Sequence, residues 1–198
     1  MTETLVRKGV RRFCAAGIAA VVAGTVMLAA AGTAAAVEKK LTYKGGFPII
    51  GDQQVAVLVK AEIPATAKAG EPISVPFTLD VDSGQAAGDG LRLVGAKKLS
   101  GTIASKVNIA LGEQKVSIPI DLPIPDTEVP AEGSLKFTAT GKVDFTIPAG
   151  TPAGEATSSV DAAATSHIVT DSSLGEFDVN LTLDPPDQDA VLGKTTVS

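Results

Sequence analysis

From Val55 to Leu183 the chain repeatedly places apolar residues at every second position. Val55, Val57 and Val59 are spaced this way, as are Ile73, Val75, Phe77, Leu79 and Val81. Val107, Ile109 and Leu111 continue the pattern, followed by Val116, Ile118 and Ile120, then Val143, Phe145 and Ile147, and finally Phe177, Val179, Leu181 and Leu183. Successive side chains of a strand point to opposite faces, so this period predicts strands with one buried face. Val, Ile, Thr and Phe dominate the runs, as strand propensity favours. No 11-residue window shows a helical stripe. All 12 prolines lie beyond residue 47, and most punctuate the ends of the runs, where they stop strand pairing. Many short strands with regular turn signals predict an all-β fold, specifically an immunoglobulin-like β-sandwich.

One phrase occurs twice. IPATAKAGE (Ile63–Glu71) and IPAGTPAGE (Ile147–Glu155) agree at six of nine positions and begin 84 residues apart. In each copy Ile-Pro is expected to close a strand, and Ala-Gly-Glu to turn the chain into the next one, with Gly supplying a positive φ. That offset is about one small sandwich module, which predicts a module over 37–125 and a shorter second module over 126–198. The linker is then LPIPDTEVPAEG (Leu122–Gly133), stiffened by Pro123, Pro125 and Pro130. One larger sandwich holding every strand is the alternative.

The first 36 residues follow another logic. Arg7, Lys8, Arg11 and Arg12 precede an apolar run from Phe13 to Gly32, and Ala34 and Ala36 provide a small-x-small exit. A basic head, an apolar middle and a small-residue exit predict a secretory signal peptide over 1–36, cleaved before Val37. The remaining chain keeps 13 of the 17 basic and 21 of the 22 acidic residues, a net charge of −8. Its only cysteine, Cys14, and both methionines leave with the signal, and the chain has no Trp. An exported protein of this composition has no disulfide and must be held by its apolar core.

Three stretches carry a resemblance: LTYKGGFPIIG (Leu41–Gly51), GLRLVGAKKLSGT (Gly90–Thr102) and FDVNLTLDPPDQD (Phe177–Asp189). Together they resemble an uncharacterised family of secreted actinobacterial proteins, a domain of unknown function, across nearly the whole chain after the signal. Members of that family tend to read Tyr-Thr-Cys in the first stretch and Cys-Thr-Leu-Asp-Pro in the last. The corresponding positions here are Gly45 and Leu181, so both cysteines are absent. The resemblance implies that Gly45 and Leu181 are neighbours, with Cα atoms within about 7 Å, the reach of a disulfide. It implies location and fold, and no chemistry.

The residues offer little for catalysis. A Ser-His-Asp arrangement would have to use His167, the only histidine, which sits in the β-like stretch ATSHIVT without a nucleophile motif such as G-x-S-x-G. Transition-metal sites need clustered His or Cys. Two carboxylates could serve a glycosidase, but the flat aromatics that stack on sugars are scarce, with one Tyr and six Phe in the whole chain. Calcium is the most chemical suggestion. Asp80, Asp82 and Asp89 occur in DVDSGQAAGDG, and Asp184, Asp187 and Asp189 in DPPDQD. The first stretch begins like a helix-loop-helix calcium loop, but Gly84 and Leu91 stand where ligands belong, and solvated acidic turns are the default. A net negative chain with a single arginine, Arg92, after the signal opposes nucleic-acid binding.

The expectation is therefore a non-enzymatic, cofactor-free exported β protein, secreted or cell-wall associated, with the membrane engaged only through the signal segment. Its first function would be an interaction or structural module for a cell-envelope or extracellular protein, contacting it through loops and sheet edges. The alternative is a carrier of an apolar, lipid-like small molecule between its sheets. A filled core with an exposed apolar patch would favour the first, and an open cavity lined by Val, Ile, Leu and Phe the second.

Overall fold

The alternating runs become strands in a computed structural model that describes residues 34–198. In chain order these are β1 (Ala34–Phe47), β2 (Gly51–Pro64), β3 (Thr66–Ala67), β4 (Pro72–Asp82), helix α1 (Gly84–Leu93), β5 (Lys98–Leu111) and β6 (Gln114–Glu128). Then follow β7 (Lys136–Thr146), β8 (Gly154–Val160), β9 (Ala163–Thr170), β10 (Glu176–Leu183) and β11 (Val191–Val197). The fold is all-β with one short helix. The ladders trace one open sheet of eleven strands, in the order β3-β11-β8-β5-β9-β10-β1-β2-β4-β7, with β6 also paired to β5.

Strand β5 is where this sheet branches. One of its edges is covered along its length by β6. Its other edge is shared end to end, with Leu99–Ala104 pairing β9 and Val107–Leu111 pairing β8. The far strand β7 comes back to lie against β6, where a Cβ on Gly141 would stand 2.5 Å from the Leu122 side chain. The sheet therefore curls until β6 and β7 face each other, yet no ladder joins them.

Prolines explain the missing ladder. Residues of one parity in a strand direct their amides to one neighbour, and those of the other parity to the opposite neighbour. Pro119 and Pro123 share the parity that faces away from the core, opposite to buried Ile120, Leu122 and Ile124. Because β6 is fully laddered to β5, these prolines take the positions whose amides would point to β7. Pro125 falls at the irregularity where the β5–β6 register shifts. The β6 edge thus lacks donors where β7 approaches.

The inward positions join one cluster that includes Val55, Val59, Leu99, Leu122 and Val179, each almost completely buried. The expected boundary between modules, at residues 125 and 126, lies inside β6, and strands from either side of it alternate in the sheet order. The described residues fall in one compact unit. The repeated phrases meet in space, since the Gly70 amide donates to the Ile147 carbonyl at 2.8 Å. Ile-Pro ends β2 and directly follows β7, as the phrase predicts. The positive φ is at Gly70 in the first copy but at Gly150, four residues before the aligned Gly154, in the second.

The expected signal segment lies outside the described residues up to position 33. Ala34, Ala35 and Ala36 already pair with Pro64, Ile63 and Glu62, with exposed side chains. The expected cleavage before Val37 would take away these three rungs and leave the β1–β2 ladder from Val37–Ala61 onward. Gly45 stands directly opposite Leu181 in the β1–β10 ladder. Opposed residues of an antiparallel pair have Cα atoms about 4.5–5.5 Å apart, which is disulfide reach, as the resemblance implies.

Candidate functional site

The curled sheet encloses more space than its side chains fill. A cavity of ≈ 80 Å³ lies under α1, and a second of ≈ 30 Å³ lies further along the same strands. The order along each strand shows how they are stacked. On β2 the larger cavity meets Val55, Val57 and Val59, and the smaller meets Ile63. On β5 the larger meets Leu99 and Ile103, the smaller Val107 and Ile109. The cavities thus sit end to end between the strands, and Phe77 on β4 is the one residue that lines both.

The polar side chains of the larger cavity are Tyr43, Ser83, Ser105 and Ser166, and two of them are tied to backbone. The Tyr43 hydroxyl donates to the Asp161 carbonyl at 3.1 Å, and the Ser105 hydroxyl to the Ala163 carbonyl at 3.0 Å. Burial pushes the Tyr43 phenol up to about 12, with the charge of Asp161 adding to the effect, so the phenol is neutral in the fold. The Asp161 carboxyl is held below its usual range by the Asn108 side chain, which donates at 2.9 Å, and by the Ala163 amide, at 3.0 Å. The remaining walls are Val, Ile, Leu, Phe and Ala, with Pro48 and Gly90. Such a cavity gives water few partners and suits an apolar guest.

One end is closed by α1 and by the turn between β1 and β2. Ala87, Gly88 and Leu91 form the buried face of the helix. Its glycines permit close approach, since a Cβ would stand 2.6 Å from the Gly133 carbonyl at Gly88 and 2.9 Å from Ile50 at Gly90. Arg92 fastens the helix by donating to the Pro130 carbonyl at 2.7 Å and the Gly133 carbonyl at 3.3 Å, while also pairing with Asp89. The facing turn is Phe47-Pro48-Ile49-Ile50. Its Ile50 amide donates to the Pro48 carbonyl at 2.8 Å around Ile49, whose φ is 72°. A γ-turn of that sign is rare and strained, most of all on a β-branched residue. It leaves Ile49 60 % exposed while Ile50 packs on the helix. Ile49 is nonetheless part of the cavity lining, so this strained turn lies between the cavity and solvent.

His167 is elsewhere. It lies on the outer face of the sheet, between inward Ser166 and Ile168, with Nδ1 at 2.7 Å from Asp178 across the β9–β10 ladder and Nε2 at 3.8 Å from Glu176. Its other ladder partner is Thr102 on β5. This is a surface pair on the outer face of the sheet, and none of its residues lines the cavity.

The acidic candidates are dispersed and mostly paired with cations. Asp80 binds Lys60 at 2.8 Å and accepts from Thr138 at 2.7 Å, and its carboxyl is lowered chiefly by those hydrogen bonds. Asp82 binds Lys136 at 3.1 Å and accepts the Gly84 amide at 2.9 Å, while Asp89 holds Arg92. Asp189 binds Lys39 at 2.7 Å, and the Asp184 amide donates to the Thr42 carbonyl at 3.0 Å. Asp187 is exposed in the turn after β10. Among the described residues no three of His, Cys, Asp or Glu come together in a metal-binding group.

Pattern reading missed α1 and the mouth. The helix runs through GQAAGDGLRL, whose three internal and leading glycines read as loop because their tertiary contacts are invisible along the chain. The mouth did leave a signal: four consecutive apolar residues, Phe47 to Ile50, in a turn that the alternation does not bury.

The profile of a family of unknown function, DUF6801, matches residues 42–193, and the chain belongs to that family. No curated protein and no solved structure matches the chain.

Proposed function

We propose that this protein is an exported, non-enzymatic carrier of an apolar small molecule, held between the strands and admitted past the turn at Ile49. The observation that carries the reading is the pair of aliphatic and aromatic cavities, one of which is lined in part by the exposed Ile49. A carrier needs unfilled apolar space with an entrance, whereas an adhesive module works with a filled core. The closest chemistry to hand is a hydrocarbon chain, because the wall is mostly aliphatic and aromatic and the Tyr43 and Ser105 hydroxyls are already bonded to backbone. Export follows from the signal-like residues 1–36, and binding to an envelope or extracellular protein is the role that the exposed turn and edges would serve alongside.

Isothermal titration calorimetry with 1-hexanol and 1,6-hexanediol tests this. The expected outcome is saturable binding of 1-hexanol at one site with a negative heat-capacity change, the mark of apolar burial, and much weaker binding of the diol, whose second hydroxyl would lose its water. Equal, non-saturable heats from both compounds would remove the carrier reading.

A further inference from the structure

We infer that Phe77 is the partition that sets how long a chain the cavity accepts, and that the ligand is a single unbranched alkyl chain lying along the strands. This rests on the carrier reading and makes it specific.

The two cavities are aligned end to end, and Phe77 is the residue that lines both. The Phe77 side chain is buried, and on the ladder it stands opposite Ala61 of β2 on one side and Gly141 of β7 on the other. Both neighbours are small. Gly141 in turn accepts the Leu122 side chain from β6, where a Cβ would leave only 2.5 Å. Phe77 and Leu122 therefore converge across a waist built from small residues. A waist of this kind excludes a branched or fused-ring ligand from the inner cavity and admits only a slender chain.

Volume gives the length. A water-sized group needs about 10–15 Å³ of space measured in this way. The outer cavity of ≈ 80 Å³ then accommodates about five to eight carbons, a methylene being about the size of a water, and the inner one of ≈ 30 Å³ about two to three more. With Phe77 in place, carbons beyond the outer cavity remain in the mouth and bury no further surface. Without the ring, the chain continues inward.

The experiment measures calorimetric affinity for the straight-chain series from 1-butanol to 1-decanol, in wild type, Phe77→Ala and Phe77→Leu. Each buried methylene is worth about 0.8 kcal/mol, so affinity rises about four-fold per carbon until the space is used. Wild type is expected to plateau at about six carbons, within the range the outer cavity allows. Both variants are expected to continue the four-fold rise for at least about two further carbons, the capacity of the inner cavity. Phe77→Leu keeps most of the core volume and carries the test where the alanine variant does not fold. Plateaus at the same length in wild type and folded variant, with wild-type binding intact, overturn the partition and leave the carrier. No saturable binding of any member by wild type overturns both.

Discussion

Tyr43 is the only tyrosine in a chain without tryptophan, and it faces the proposed ligand. Its phenol is raised from 10.0 to about 12, first by burial and then by Asp161. A raised acid favours the neutral form in the fold. The associated stability is fully present below pH 10 and is lost as pH rises from there through the folded value, about 2–3 kcal/mol in all. Phenolate absorbance in native protein should therefore appear near pH 12, and in urea-unfolded protein near pH 10. Coincident titrations would mean that Tyr43 is not enclosed. The sequence exposes the uniqueness of this residue but not its setting. Neighbouring Lys39, Lys40 and Lys44 make Tyr43 look like part of a solvated basic patch, and only the β1 alternation beginning at Leu41 turns it inward.

At the scale of elements, strands with Val, Ile or Phe on the inward face were legible: β2, β4, β5, β6, β7 and β10 all follow runs of period two. Strands β8 and β9 were hidden because most of their inward positions are small or hydroxylated, with Ala156 and Ser158 on one, and Ser166 and Thr170 flanking a single Ile168 on the other. Such residues carry no hydrophobic period, and they are recruited to the sheet by their neighbours. The Gly45–Leu181 rung was the most specific expectation of the family resemblance, and the ladder contains it. The double substitution Gly45→Cys with Leu181→Cys should form a disulfide under air oxidation. Removing Leu181 also clears the side chain that would stand 2.7 Å from a Cβ at position 45. Oxidised against reduced protein should gain about 2–4 kcal/mol in urea unfolding. Failure to crosslink would place the two strands out of the register described. For the β6 edge, Pro119→Val with Pro123→Val restores two amides that point to β7. Hydrogen exchange should show the facing amides of β7 and β6 newly protected. An unchanged exchange pattern would mean that something other than missing donors holds the seam apart.

For the whole molecule, the all-β class could be read from composition and period. The enclosure could not be, because a cavity is defined by what strands distant in sequence leave unfilled. The order of the sheet, which interleaves residues from both sides of the expected module boundary, is equally remote from local pattern. It arises from β5 serving β6, β8 and β9 at once. Curling brings the two repeated phrases together at the far end, where Ile63 and Ile147 both line the inner cavity. The doubled phrase thus finishes neighbouring strand ends of a single enclosure. The carrier proposal depends on that enclosure being real apolar space in solution. Methyl-resolved NMR with stepwise addition of 1-hexanol addresses it most directly. Saturable shifts concentrated on Val57, Leu79, Ile103 and Val179, with surface Val116 unmoved, are the predicted result. Shifts confined to exposed methyls such as those of Leu93 and Val116, growing linearly with alcohol and never saturating, would contradict it.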